Sequence, residues 1–476
     1  MLTIEIAQGV QICLPDQLSH ISTYVFLEQE NWFEDEANFV TSTAEPGARM
    51  LDIGSSFGYY SLSFAKAAGP SARIWAFEPT PTVCLLFRES IRLNDSNQIT
   101  LVETAVGADT GRCKLLSEQS SELNSINAAL GTLDVAMAPL DGLASEHDFG
   151  AIDFVKLDVE GHETSVIEGG RMFFSQQSPL VMLEIKAADA IDFSAARLLV
   201  GLGYSLYRLV PELGVLTPFA EDQLDPYQLN IFACKADRAS RLGARGLLRA
   251  ASASEETVAS VQEVAAAIKT IPVFAPFSAS FDAWLGSTPA DDPYLSLLRH
   301  LVTSRNSALP MSARCAALES AAKLSRSIAS GPATLAQCLT ASRALRGWGE
   351  RGVAVSVLNR ILPNVLQQEQ ACFSIDAPFF PPLASYESWI ADTGNWVRAS
   401  IIESVTLWST FASYWGEPTQ ASSTDLLSRL GRQTPLLERR RQLRRIIQGL
   451  QPGPQPHASL AVKSLDNCNP QFWCRS

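Results

Sequence analysis

The run Met50-Leu-Asp-Ile-Gly-Ser-Ser-Phe-Gly-Tyr-Tyr-Ser61, followed by a second apolar run that closes on Trp75-Ala-Phe-Glu-Pro79, constrains this chain more than any other stretch. Met50, Leu51 and Ile53 make a short strand that stops at Gly54, a second glycine follows at Gly58, and a helix opens near Tyr59. Strand, tight turn and helix in that order aim the free N–H groups of the helix's first turn at whatever sits above the turn. Glycine at 54 and 58 lets backbone approach a ligand where a Cβ would intrude. The second strand, residues 73–77, ends at Glu78, an acid placed to accept hydrogen bonds from both hydroxyls of a ribose. A nicotinamide-binding turn reads Gly-x-Gly-x-x-Gly, whereas this one reads Asp52-x-Gly54-x-x-x-Gly58. That spacing favours S-adenosylmethionine over NAD and makes a dehydrogenase a distant alternative.

The chain's 476 residues exceed one ordinary core, so two domains are expected. A composition change near Asp237 sets the boundaries: a catalytic domain over 1–237, a linker over 238–255 and a second domain over 256–476. Residues 1–236 hold 13 Lys and Arg against 32 Asp and Glu, a net −19, while residues 237–476 hold 24 against 18, a net +6. A first half this acidic would repel a phosphate backbone, which argues against nucleic acid as substrate. No apolar run is long enough to cross a membrane. The first residues lack the basic start and cleavable apolar segment of a secretory signal. Nine cysteines, odd in number and without a Cys-x-x-Cys pair, suggest free thiols in a reducing compartment, so the cytoplasm is the expected location.

Along the first half, strand patterns at 99–102, 152–159, 180–185, 204–210 and 229–234 alternate with helical ones at 31–44, 82–93 and from about 162. Residues 114–137 read as a hairpin excursion. The whole is a doubly wound, mostly parallel α/β sheet of the Rossmann-like kind. A second constellation lies at Asp153-Phe-Val-Lys156-Leu-Asp158-Val-Glu160-Gly161-His162-Glu163. In an extended strand Lys156, Asp158 and Glu160 share one face, and the two acids fall at the strand's carboxyl end, where parallel sheets bind ligands. Two plainer readings stand beside this one. Lys156 and Asp158 could form a structural ion pair, and Glu160 and Glu163 could favour a helix N-terminus. His162 is either a proton acceptor or a solvated residue at the helix start. No cluster has convincing metal-ligand spacing, so no metal ligand is assigned, and a carboxylate-bound magnesium site stays open without support in the pattern.

On these residues the chain resembles FkbM-type S-adenosylmethionine-dependent methyltransferases. The likeness rests on Leu51-Asp52-Ile-Gly54, Phe77-Glu78-Pro79, Ala105-Val106-Gly107, the segment Val155 to Glu163, Val166-Ile-Glu168-Gly169-Gly170 and Asn230-Ile-Phe-Ala233. It covers the first half and none of the second. Ser55-Ser56 stands where the family usually has Ala-Asn. The resemblance implies that Asp52, Gly54, Ser56 and Gly58 face the methionine portion of the cofactor, that Glu78 holds the ribose, and that Glu103 to Val106, with Ala105 among them, border the adenine. It places Asp158, Glu160 and His162 near the transferable methyl and implies O-methylation of sugars, glycan-linked compounds or other small natural products. Transfer from a sulfonium is an in-line displacement, so alignment supplies much of the catalysis, and a base need only take the hydroxyl proton as the bond forms. Asp158 is the first candidate for that base. A non-catalytic binding or scaffold protein that keeps the fold is the alternative, and the helical half is then a candidate contact for a protein partner.

The second half reads as all-α. Residues 341–362 form two helices around a glycine turn, like one tetratricopeptide-style hairpin, and one hairpin is not an array. Pro378 to Pro382 and the aromatics Tyr386, Trp389, Trp396, Trp408, Tyr414 and Trp415 read as core, with a carbohydrate-stacking surface as the other option. The basic segment Glu438 to Arg445 reads as a surface helix with one buried stripe, or as a helix that docks on the acidic half. Cys468 and Cys474 lack companion ligands.

Overall fold

The computed structural model describes residues 1–116, 125–126, 131–187, 190–249, 258–367, 374–415 and 420–448. The chain opens with a hairpin of β1 (Leu2–Ile6) and β2 (Val10–Leu14), antiparallel with Leu2 opposite Leu14, in which Leu2, Ile4 and Ile6 are buried and Thr3 and Glu5 exposed. This is the period-two pattern of a half-buried strand. Helices α1 (Ile21–Gln29) and α2 (Glu36–Thr43) follow. The helix expected from residue 31 starts five residues later, and Trp32 and Phe33 before it join an aromatic cluster instead.

The central elements are β3 (Arg49–Ile53), α3 (Tyr59–Ala68), β4 (Arg73–Phe77), α4 (Pro81–Leu93) and β5 (Ile99–Val102). An excursion of β6 (Ala105–Gly107), β7 (Gly111–Leu116), β8 (Ser125–Ile126) and β9 (Leu133–Pro139) forms its own small sheet, with β7 and β9 antiparallel as the hairpin reading expects. Then come α5 (Leu140–His147), β10 (Phe154–Leu157), α6 (Glu163–Gly169), α7 (Arg171–Gln176), β11 (Leu180–Glu184), the short pair β12 (Lys186–Ala187) and β13 (Ala190–Ile191), α8 (Ser194–Gly201), β14 (Ser205–Val210), β15 (Val215–Pro218) and β16 (Asn230–Cys234). The main sheet has the order β15-β14-β16-β11-β10-β3-β4-β5. Strands β11, β10, β3, β4 and β5 are parallel, whereas β16, β14 and β15 are antiparallel to their neighbours. Alternate residues feed two cores: Met50, Ile74, Phe154 and Met182 pack on one face, and Leu51, Trp75, Val155 and Val181 on the other. A sheet buried on both faces is why its strands read as apolar runs rather than as alternation.

Residues 238–244, assigned above to the linker, lie on α9 (Ala236–Ala244), whose Arg238 pairs with Asp153 at 3.0 Å and donates to the Ser178 carbonyl. Residues 250–255 of that segment fall outside the described residues. The second half is a succession of helices: α10 (Val261–Lys269), α11 (Ser278–Ser287), α12 (Pro293–Arg305), α13 (Met311–Ser330), α14 (Leu335–Trp348), α15 (Arg351–Gln367), α16 (Thr393–Trp408), α17 (Gln420–Arg429) and α18 (Pro435–Ile447). From α12 to α16 each packs on the next. The glycine turn expected within 341–362 is Gly349, left-handed at φ 100°, between α14 and α15. Tyr386, Trp396 and Trp408 are buried in this helical core.

The two halves are joined by charged side chains. Arg208 of β14 donates to the Trp348 carbonyl at 2.6 Å and stacks on that indole, and Arg343 pairs with Glu212 at 2.8 Å. Helix α18 is not the surface helix of the plainer reading: Arg439 and Arg440 are buried against α1, with Arg440 paired to the fully buried Glu28 at 2.8 Å. Cys13, Cys84, Cys113, Cys234, Cys315 and Cys338 are free thiols, and Cys468 and Cys474 lie outside the described residues. Among the described residues no helix is long and apolar enough to cross a membrane.

Candidate active site

Strand β3 sits where the strand order reverses, with β4 and β5 on one side and β10 and β11 on the other. In a sheet of this kind the crevice for a ligand opens above the carboxyl ends of the strands at that point. A cavity of about 790 Å³ lies there, lined by Gly54, Ser56, Glu78, Ala105 and Val106 together with Lys156, Asp158, Glu160 and Glu184.

The glycines answer to the protein as well as to any ligand. Gly54 has φ 80°, and a Cβ there would lie 1.7 Å from the Asp158 carbonyl oxygen. Gly58 has φ 83°, and its Cβ would fall 2.0 Å from the Phe87 ring. Gly58 does not line the cavity, so its part is to let the turn close over Phe87. Ser56, also left-handed at φ 48°, donates its N–H to Glu78 Oε2 at 3.1 Å, while the Thr80 N–H donates to Oε1 at 2.8 Å. Burial pushes the Glu78 carboxyl above its usual range, and these bonds oppose the rise. Glu78 lines the cavity with Ala105 and Val106, an acceptor with an apolar surface that suits a ribose diol and a flat base. Asp52 is fully buried under the turn and takes the Ser61 N–H at 3.1 Å and the Ser61 hydroxyl at 2.6 Å, so it braces the start of α3. Glu103 pairs with Arg88 and does not line the cavity.

Lys156 on β10 is opposite Asp52 on β3. Its ammonium donates to the Gly54 carbonyl at 3.0 Å and to Asp158 Oδ2 at 2.9 Å, and lies 3.9 Å from Asp52 Oδ1. Burial would lower the Lys156 pKa, but the charges of Asp158 and Asp52 outweigh it and hold the ammonium protonated. For Asp158 the balance runs the other way. Burial raises its pKa, yet Lys156 and a hydrogen bond with Glu184 leave it below the usual carboxylate value. Glu184 is pushed well up by burial and by Asp158's charge, the direction that favours its protonated form beside Asp158. Asp158, Glu160 and Glu184 each bring an oxygen within 4.8 Å of the others, which could hold a cation where the sequence suggests no ligand set. Glu163 accepts from the Val159 and Gly161 N–H groups at 2.9 and 3.2 Å and closes the loop that carries Glu160, itself left-handed at φ 52°. His162 precedes α6 and does not line the cavity.

Several lining residues were not foreseen. Glu34 accepts from the Tyr60 hydroxyl and is pushed up by burial. Glu184 could have been found, since an acid at the end of an expected strand follows the rule that located Glu78. Phe411 and Trp415 come from the second half; Trp415 is one of the aromatics for which the sequence leaves a stacking surface open, and no local pattern marks Phe411.

Residues 52–206 match the family model "Methyltransferase FkbM domain". Among curated proteins none is similar to this chain. Solved structures with some likeness include a methyltransferase FkbM from Methylobacillus flagellatus KT, 18% identical over 40% of this chain and 44% of that one, TM-score 0.28. Others are a precorrin-6y C5,15-methyltransferase from Geobacter metallireducens GS-15 (15%, 42% and 88%, 0.25) and an O-methyltransferase from Bacillus cereus in complex with SAH (13%, 47% and 84%, 0.26). This chain thus spans under half the length of the Methylobacillus protein, and the family match, not these low scores, carries the identification. Residues 52–206 of this chain are a methyltransferase FkbM domain, whose methyl donor is S-adenosylmethionine.

Proposed function

We propose that this chain methylates a hydroxyl oxygen on a sugar, a glycan-linked compound or another small natural product. Residues 1–237 are the catalytic domain, 238–255 the connection, and 256–476 a helical domain that shapes the acceptor site. The observation that carries this is that Glu78, suited to a ribose, and Asp158, an ionised carboxylate braced by Lys156 and Glu184, open on one cavity.

When bound, S-adenosylmethionine supplies a methyl group on a positively charged sulfur, which keeps the bonding pair as the acceptor oxygen takes the carbon. Glu78 would hold the ribose, Ser56 would fix Glu78 through its N–H, and Ala105 would border the base. Asp158 accepts the proton that the hydroxyl gives up, and Lys156 keeps that carboxylate ionised and aimed. Glu160, across the same opening, orients the hydroxyl. Asp52 acts through Lys156 and Ser61 rather than on the cofactor.

Titration calorimetry with S-adenosylmethionine on the wild-type chain and on Glu78→Ala, with NAD as control, tests the cofactor site. Micromolar binding weakened by the substitution is expected, and no binding would sink the enzyme reading. Asp158→Asn then separates binding from turnover in an acceptor screen with labelled methyl. It should bind the cofactor and transfer little. A wild-type chain that binds the cofactor and transfers to no acceptor would instead be a scaffold.

A further inference from the structure

Part of the cavity lining belongs to the second half. Ser409, Thr410, Phe411 and Trp415, in the segment that follows α16, line the same space as Glu78 and Asp158. Phe411 lies 5.1 Å from Phe33 and 6.0 Å from Tyr227 between ring centroids, and Trp415 meets Phe33 edge-on at 5.5 Å. Trp415 remains 45% exposed, unusual for an indole in a packed protein.

This wall is held in place before any ligand arrives. Arg351 donates to the Trp408 carbonyl at 2.7 Å and to the Thr410 carbonyl at 2.8 Å, and its guanidinium lies over both Tyr227 and Phe411, at 4.6 and 4.7 Å. Glu28, buried and paired with Arg440, accepts from the Ser413 N–H at 3.0 Å.

Four hydroxyls in and beside the wall are already engaged. The Tyr59 hydroxyl donates to Asn31 at 2.7 Å, that of Tyr60 to Glu34, that of Tyr227 to the Ser409 carbonyl at 3.2 Å, and that of Thr410 to the Ala412 carbonyl. What Phe33, Tyr227, Phe411 and Trp415 present to a ligand is chiefly ring faces and edges. A polyol set against these rings would leave the hydroxyls on that side short of partners, which costs free energy. A flat apolar ring would stack.

From this we propose that the segment Ser409 to Trp415 is the specificity wall of the acceptor site, and that the acceptor carries its hydroxyl on a planar, apolar ring body. This rests on the methyl-transfer reading and narrows its substrate class. Lys156 is the only cation among the described residues that line the cavity, and its charge is met by Asp158 and Asp52, so the lining offers no free positive charge to an anionic acceptor.

The test is titration of the full chain with 2-naphthol and with methyl α-glucopyranoside, each with and without saturating S-adenosylhomocysteine. Wild type should bind 2-naphthol and not the glucoside. Phe411→Ala and Trp415→Ala should each weaken naphthol binding at least tenfold, with S-adenosylhomocysteine affinity unchanged. Trp415→Phe should restore most of the loss. The half-exposed Trp415 gives a variant whose fold is safe, and circular dichroism checks Phe411→Ala. Binding of the glucoside in preference to naphthol, or naphthol binding unaltered in the Trp415→Ala variant, overturns the proposal. A chain that binds naphthol through Trp415 but no S-adenosylhomocysteine would refute the cofactor reading and leave the wall standing.

Discussion

Replacing Lys156 by methionine removes the one cation among the described residues that line the cavity while keeping an unbranched side chain as far as Cε, and its cost follows from its partners. Taking one member from a buried ion pair costs about 3–5 kcal/mol. Asp158's side chain is 30% exposed and can be rehydrated, whereas Asp52's is 1% exposed and cannot, so the expected loss is about 3 kcal/mol, at the low end of that range. The sign with pH is specific. Lys156 has a raised pKa, so its stabilisation is full below about 10.4 and is lost only as the pH climbs through the folded value. Asp158 has a lowered pKa, so its share is present above about 3.9 and is lost as pH falls through the folded value. Burial already holds Asp52 above its usual range with Lys156 present. Without Lys156 both carboxylates shift upward, the folded variant binds protons that the unfolded chain does not, and it gains stability as the pH falls toward about 4. The gap between wild type and variant should therefore be widest near pH 8 and narrower at pH 5. Urea unfolding at both values measures it, with Asp158→Asn completing a double-mutant cycle that should show positive coupling. A loss under about 1 kcal/mol at pH 8, or a gap that does not move with pH, would refute the account of the site's charges.

Glu78→Gln keeps the shape but removes the charged acceptor, so S-adenosylmethionine should bind about 30-fold more weakly, about 2 kcal/mol; an unchanged calorimetric Kd would remove Glu78 from the site. Gly58→Ala meets both a φ of 83° and the Phe87 ring, and thermal unfolding should show a loss of more than about 2 kcal/mol; Phe87→Leu should rescue the steric part and not the backbone part. Arg440→Met leaves Glu28 buried and uncompensated, at a cost of about 3–5 kcal/mol. Limited trypsin digestion should then open α18 first, and a digestion pattern like the wild type's would count against that tie.

The half that binds the cofactor was largely legible, because each of its signals is local. The strand that stops at Gly54, the acid that ends residues 73–77, and the Lys156 to Glu163 run sit where a parallel sheet places them. The same locality misled for the glycines: the sequence shows that residues 54 and 58 need no Cβ, but not that Asp158 and Phe87 are what a Cβ would meet. Asp52 and Glu103 keep their places in the motif, yet their side chains turn to Ser61 and Arg88, which only the packed structure reveals. The hairpin at Leu2–Leu14 was readable from Leu2, Ile4 and Ile6 and was passed over. Phe411 had no local sign, and Trp415 and the docking of Arg440 stand in the sequence only as alternatives, since each depends on a partner hundreds of residues away.

The bond from Arg440 to Glu28 joins residues 412 positions apart, and that separation sets an order of assembly during synthesis. Domains form as they leave the ribosome, amino end first. The turn at Gly54 and Glu78 can therefore be in place long before α18 has been translated, while the segment near Ser413 is not held by Arg440 and Glu28 until α18 has emerged. A nascent chain would bind cofactor first and acquire its acceptor wall last.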